Sequence, residues 1–457
     1  MPLRPARMRL TGWGRYRQGV SLVVRPEKLS ELKEVLDAGH RPILARGLGR
    51  SYGDAALNDG GIVVDLTRLN RILSFDRQSG KLCCEAGVTF ADLLESFLPR
   101  GFFPPVIPGT KFVTLGGALA ADIHGKNHHR DSSFSAHVDS FRLLTACGEI
   151  KQCSRSEHSE LFWATVGGMG LTGIIIDLEF RLRPIDSAYL REEIRPLDSL
   201  ENTVKMLDLL ERDYEFSVAW IDCASFGPKF GRSVAMFANF ATRAEVEKAG
   251  IRLPLDVHRT RPLTIPFDFP TGAINDFTVR AFNEAYYNLH RRRTQPRFVH
   301  VESFFFPLDR LGNWNRLYGR RGLLQYQCAL PNRDGQRAVI EILEQLARSR
   351  VASSLAVLKK LGRQEGMLTF PVPGYTLAMD FPARDASLKL FEQLDEIVLR
   401  YGGRIYLAKD ASMSPESFRR MYPDFNAWLN VKKQVDPLGS FSSQLSRRLG
   451  IDAALAS

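Results

Sequence analysis

ARGLGRSYGD, residues 45–54, sets glycines at 47, 49 and 53. A dinucleotide fingerprint needs G-x-G-x-x-G opening a helix. Here Tyr52 stands three residues after Gly49, and DAALNDGG, which follows, has no helical pattern. The Rossmann reading therefore fails. What remains is a loop free of Cβ obstruction at three points, flanked by Arg46 and Arg50. Consecutive backbone N–H groups in such a loop make an anion nest of a size that takes a pyrophosphate. The plain alternative is a tight turn between strands.

Two further glycine stretches lie downstream. In PGTKFVTLGGALAADIHGKNHH (108–129), Gly116 and Gly117 open a helix of small residues. Small residues allow close approach, and a helix N-terminus favours phosphate. In ATVGGMGLTGIIIDLEF (164–180), glycines 167, 168, 170 and 173 lead into a buried strand. Each stretch is a weak signal by itself; the series in this order is specific. Within DIHGKNHH, His124 and His128 have the i, i+4 spacing that on a helix would suit zinc. No carboxylate completes a ligand set at matching spacing, so no metal is expected.

The chain has 457 residues, 44% apolar and 25% charged, a soluble globular composition long enough for two domains. Its net charge of +11 points to anionic partners without choosing among phosphates, nucleic acid and membrane. No run is long and apolar enough for a transmembrane helix. The basic N-terminus lacks the apolar core of a signal peptide. The expected location is the cytoplasm or the inner-membrane surface, with the periplasmic face left open. Six scattered cysteines form no CxxC pair and read as reduced thiols.

RPEKLSELKEVLDAG (25–39) reads as a helix ended by Gly39. SFRLLTACGEIKQCS reads as two strands joined at CGE. After Pro184 strands and long amphipathic helices alternate, an α+β module with an antiparallel sheet. The segment 258–300, with four prolines, many aromatics and HRRR, reads poorly as helix or strand. It is expected to be a long functional loop.

With these motifs the chain resembles the FAD-binding family typified by vanillyl-alcohol oxidase. Further stretches, RLTGWGR, NWNRLYG, LQYQ, FPVPGYTLAMDFP and GGRIYLAKD, resemble the branch that oxidises polyprenylphosphoryl ribose. The match runs from about residue 9 to residue 449. The resemblance implies an α+β fold of two domains. The FAD domain would be built from both chain ends, 1–186 and 402–457, and the substrate domain from 187–401.

The resemblance also implies site residues. FAD, held without a covalent bond, would lie along Arg46, Gly47, Leu48, Gly49, Arg50, Ser51, Tyr52 and Gly53. Pro108, Gly109, Thr110, Thr114, Gly116, Gly117, Ala120 and Ile123 would continue that cradle. His124, Gly125, Asn127, His128, Gly168, Gly170, Gly173, Ile174 and Tyr406 would complete it. Oxidising a secondary alcohol needs a hydride acceptor and a base at the hydroxyl. Lys409, His124 and Tyr52 are the catalytic candidates. Lys409 is also a candidate to touch the sugar, and its plain alternative is a surface pair with Asp410.

Lys126, Ser217, Gln325, Gln327, Lys359, Thr376 and Ala378 would bind the polyprenylphosphoryl ribose. The 258–300 segment would lie over an anionic bilayer. Relatives carry cysteine at the place of Ala378 and tyrosine at that of Phe305, which puts pocket selectivity in doubt. The keto product would pass to an NAD(P)H-dependent keto-sugar reductase. The competing readings are an alditol or sugar-lactone oxidase using oxygen, and a non-catalytic basic protein binding membrane or nucleic acid. The glycine series argues against the last, and no nucleic-acid partner is expected.

Overall fold

A computed structural model describes residues 4–37, 42–225, 227–258, 262–293, 295–351 and 353–456. The IVVD run 62–65 is almost wholly apolar, as a strand covered on both faces must be. It forms the strand Ile62–Asp65, flanked in parallel by Gln18–Val24 and Ile43–Arg46. The helix Leu29–Asp37 makes the crossover and buries Leu32 and Val35. The proposed stop at Gly39 lies outside the described residues.

A second, five-stranded antiparallel sheet contains the buried strand Ile174–Arg181 between Lys81–Glu85 and Val138–Leu144. The CGE turn joins Val138–Leu144 to Ile150–Ser154, with Gly148 at φ 80° where a side chain would be strained.

The third sheet has eight strands, all paired antiparallel, drawn from residues 189–405. Its central strands Leu323–Pro331, Gly374–Pro382 and Leu355–Leu361 alternate strictly. Tyr326, Cys328, Leu377, Met379 and Leu358 share one buried face. The helices Gly335–Ser349 and Asp385–Arg400 cover it with apolar residues at 3–4 spacing, such as Val339, Ile342, Leu343 and Leu346. The opposite face carries the polar residues of the site.

The C-terminal segment returns to the N-terminal third. Trp428 Nε1 donates to the carbonyl of Ala164 (2.8 Å), and buried Lys432 Nζ to that of Leu171 (2.7 Å). Phe441 shares a core with Val24, Val64 and Ile174.

Two expectations need correction. The segment 258–300 contains a 16-residue helix, Asp276–Arg291, started by a capping box at Asn275. Its buried Val279, Asn283 and His290 keep helical spacing, but two are polar, so an apolar count misses the face. Residues 259–261 and 294 of that segment lie outside the described residues. Second, the small-residue helix ends at Ala120. Asp122 sits at φ 42°, His124 bridges Ser133, and a separate short helix begins at His128. His124 and His128 therefore do not share a helical face.

Candidate active site

The loop after Ile43–Arg46 leaves the backbone N–H groups of Gly47 to Ser51 without a protein acceptor among the described residues. Gly49 is at φ 63°. A Cβ at Gly47 would lie 2.1 Å from Thr114 Oγ1, so only glycine lets this loop meet the start of the next motif. Thr114 caps the helix Leu115–Ala120 through the N–H of Gly117, and Gly116 lies tight against Ala86. The third glycine stretch is tied to the end of that helix: Gly167 and Met169 donate to the carbonyls of Leu119 and Ala120 (3.2 and 2.9 Å). Gly170 and Gly173 take positive φ there, and Ile174 enters the core. The loop at Pro108 and Gly109 leads to Thr110, whose hydroxyl accepts from Phe112 N–H (3.3 Å), and Gly109 is open on its Cβ side. A nest of free amides facing glycine-lined backbone fits the pyrophosphate and adjoining parts of FAD.

The flanking arginines serve otherwise than expected. Arg46 spends its guanidinium on the carbonyls of Ala56 (2.5 Å) and Thr11 (2.8 Å). Arg50 donates to Phe112 O (3.1 Å) and lies over the Trp13 ring, 4.1 Å from its centroid. Both shape the loop.

The second half of the site lies on the polar face of the eight-stranded sheet. Thr376, Ala378 and Asp380 alternate along one strand. Gln327 pairs with Ala378, Gln325 with Asp380, and Lys359 with Thr376. Directly paired residues point to the same face. Gln327 Nε2 donates to Thr376 Oγ1 (3.1 Å) and to His124 Nε2 (2.9 Å). His124 Nδ1 therefore carries the ring proton, and this buried atom has no partner. Burial first, and then the charge of Lys359, hold His124 well below the usual imidazole range. The ring lies 5.2 Å from that of Tyr406 and 5.4 Å from that of Phe370. Ile123 is buried beside it in the chain, and Tyr406 itself donates to the carbonyl of Ala121 (2.8 Å).

Lys409 follows the strand Arg404–Ile405. Its ammonium lies 3.8 Å from the centroid of the Tyr52 ring, and Tyr52 N–H donates to the carbonyl of Ala408 (3.0 Å). The surface-pair alternative with Asp410 fails: Asp410 is buried, bonded to Arg448 (2.8 Å) and to the amides of Ser412 and Met413. Burial lowers Lys409 to about 7, partly countered by Asp380. Lys359 falls to about 8 by burial. Lys126 falls to about 7 by burial and by Lys359, while its Nζ donates to Phe304 O (2.5 Å). Burial pushes the Tyr52 phenol well above its ordinary value.

Asp380 was missed from the sequence. It accepts from Gln325 Nε2 (2.5 Å), and burial raises it to about 6. The alternation Thr376, Ala378, Asp380 was the signal that could have found it.

Three expected residues do not join the cluster. His128 Nδ1 accepts from Gly362 N–H (3.0 Å) while Nε2 donates to Ser133 Oγ (3.1 Å), so neither nitrogen is free for a ligand. Asn127 Nδ2 ties the carbonyl of Pro105 to Asp131, and its side-chain oxygen crowds Gly125. Ser217 shares a face with Ala219, which pairs with Leu358 on the helix-covered side; its backbone N–H holds the carbonyl of Lys126 (3.0 Å).

Fold and cradle together define an FAD-dependent oxidoreductase of the vanillyl-alcohol oxidase type, acting on a CH–OH group. Comparison with known proteins agrees. The family described as FAD binding domain matches residues 20–154, and that described as D-arabinono-1,4-lactone oxidase matches residues 376–449. The chain is 39% identical to decaprenylphosphoryl-β-D-ribose oxidase of Mycolicibacterium smegmatis, over 96% of this chain and 97% of that one. It is 22% identical to L-gulonolactone oxidase of Bos taurus, over 95% and 96% of the two chains. The chain belongs to the decaprenylphosphoryl-β-D-ribose oxidase family.

Proposed function

We propose that the protein oxidises the 2-hydroxyl of a polyprenylphosphoryl-β-D-ribose to the 2-keto sugar, the first half of an epimerisation to the arabinose donor of a cell-wall arabinan. The observation that carries this is the charge of the site. Lys359 acts on both Lys126 and Lys409, and the carboxylates that act on these lysines are Asp380, bonded to Gln325, and Glu192, already paired with Arg297 (2.7 Å). Buried cations in such excess call for an anionic ligand. A phosphodiester supplies that charge; a neutral sugar lactone does not.

Bound FAD supplies the acceptor for the hydride of the carbinol carbon. The protein's own groups handle the proton. Tyr52 is too weak an acid to be ionised near neutrality, and His124 has its one acceptor nitrogen engaged by Gln327. Lys409, lowered to about 7, is the candidate that can accept the hydroxyl proton as an amine and hold it as an ammonium. The His124 Nδ1–H is left as a donor to the cofactor or the sugar. Lys126 and Lys359 face the phosphodiester, and Gln325 orients Asp380.

FAD is held non-covalently in this reading, since the 46–54 loop contains neither histidine nor cysteine and the nitrogens of His128 are both engaged. Residues 1–186 and 402–457 form the cofactor domain and 187–401 the substrate domain. The lipid substrate places the enzyme at an inner-membrane surface, with an NAD(P)H-dependent keto-sugar reductase taking the product.

The test is anaerobic mixing of the holoenzyme with polyprenylphosphoryl ribose. Stoichiometric bleaching of flavin absorbance is expected. Bleaching by L-gulonolactone with none by the phosphoryl ribose would replace this reading with a lactone oxidase.

The acid limb of the pH profile gives a second expectation. Lys409 must be neutral to accept a proton, so kcat/KM should rise with pH through about 7 and then level off. Asp380 raises Lys409, so Asp380→Asn should move this limb to lower pH. An unmoved limb would assign it to another group.

A further inference from the structure

The helix Asp276–Arg291 meets the protein through one face. Val279, Asn283 and His290 are buried; Asn283 Nδ2 donates to Asp222 Oδ1 (2.7 Å), and Tyr286 lies 4.8 Å from the Trp220 ring. A surface helix ordinarily turns charged and polar residues to solvent on the opposite face. Here the exposed residues between the helix's first position and Arg291 are Phe277, Thr278, Ala281, Phe282, Ala285 and Leu289, of which Thr278 alone is polar. Phe277 is 79% exposed, Phe282 54% and Leu289 51%. The chain just before the helix adds Leu263, 79% exposed, and Phe267, 63% exposed. No other stretch of comparable length among the described residues exposes so many large apolar side chains.

Two observations say what covers this face. The first is charge: the helix runs into exposed Arg291, Arg292 and Arg293, and exposed Arg320 and Arg321 stand on the neighbouring loop. The second is position. The segment before the helix is fastened beside the active site. Arg15 binds Asp268 (2.5 and 3.0 Å), Phe269 N–H donates to the carbonyl of Arg316 (2.9 Å), and Ile274 packs on a cluster containing Tyr52, Trp314 and Tyr318. Tyr52 carries the ring beneath the Lys409 ammonium. The exposed apolar run is therefore continuous, through Ile274, with an aromatic wall of the site.

We propose that the outward face of Asp276–Arg291, with Leu263 and Phe267, is an interfacial anchor that seats the protein on a bilayer containing anionic lipid. Apolar side chains enter the acyl boundary while the arginines meet the headgroups. The substrate's tail then passes from the bilayer along the Trp314–Tyr318 wall while its head reaches Lys409. This deepens the proposed function and rests on it for the identity of the lipid, but vesicle binding is measured without substrate.

The holoenzyme is floated with vesicles of phosphatidylglycerol and phosphatidylcholine, and with phosphatidylcholine alone. Binding to the anionic vesicles is expected, weakened by salt. The double variant Phe282→Asp, Leu289→Asp should bind them about 10-fold or more weakly, with unchanged flavin absorbance and unchanged turnover of a short-chain, soluble phosphoryl ribose. In Phe282→Trp, the emission should shift to the blue on adding anionic vesicles. No binding by the unaltered protein, equal binding by the double variant, or no shift in the tryptophan variant would each overturn the anchor. So would a fall from dimer to monomer in the double variant without loss of vesicle binding, which would assign the face to a second copy of the chain. Absent turnover of the short-chain substrate by the unaltered protein would instead sink the proposed function, leaving the vesicle result to stand by itself.

Discussion

Lys409→Ala should lower turnover about a thousandfold while the protein stays yellow. Lys409 and Lys126 both have proton affinities near 7 and no carboxylate at ion-pair distance among the described residues, but Lys126 Nζ is spent on the carbonyl of Phe304. In the proposed reaction, removing the Lys409 amine takes away the proton acceptor. It leaves the nest at Gly47 to Ser51 intact, because the Lys409 side chain lies on the Tyr52 ring and bonds none of those amides, while its N–H bonds within its own turn to Tyr406 O (2.8 Å). Lys409→Arg should be nearly as poor, since a guanidinium does not give up its proton near neutrality. The measurement is rapid-mixing reduction of the flavin under anaerobic conditions, with cofactor content read from the spectrum. A variant that reduces at the normal rate would remove Lys409 from the chemistry. A colourless variant would mark it as a cofactor-holding residue.

Gly47→Val should yield protein that loses its flavin. A Cβ at this position would meet Thr114 Oγ1 at 2.1 Å and Thr114 Cγ2 at 2.9 Å. Thr114 cannot simply rotate away at no cost, because its hydroxyl caps the helix Leu115–Ala120. The two halves of the cradle are forced apart. Overpacking of this kind costs about 1–3 kcal/mol, which weakens FAD binding about 5- to 150-fold. The checks are the flavin-to-protein absorbance ratio after gel filtration and titration of the stripped protein with FAD. Unchanged circular dichroism would confirm that the fold survives. Full flavin retention in this variant would show that the loop does not grip the cofactor.

The glycine series was legible because its signal is local. A glycine is needed wherever φ is positive or backbones meet closely, and Gly47, Gly49, Gly116 and Gly173 satisfy one or the other condition. The polar face bearing Gln325 and Gln327 was legible for the same reason, since alternation along a strand is a property of the strand. The helix Asp276–Arg291 was not. Its exposed face is apolar and its buried face partly polar, so the usual amphipathic pattern is inverted.

Residue types and periods along the chain were enough for the glycine motifs and the antiparallel sheet; the cofactor and the candidate lysines came from the family resemblance those motifs carry. Which polar atoms are spent and which are free was decided by tertiary structure alone. Arg46 looks like a phosphate ligand until Thr11 and Ala56 claim it; His128 looks like a site histidine until Gly362 and Ser133 take both its nitrogens. Lys409 comes down to about 7 only because the fold buries it, over the ring of Tyr52, more than three hundred residues away, and near Lys359, with Asp380 countering in part. Proton affinity and hydrogen-bond satisfaction depend on burial and on partners distant in the chain, and no local pattern encodes those.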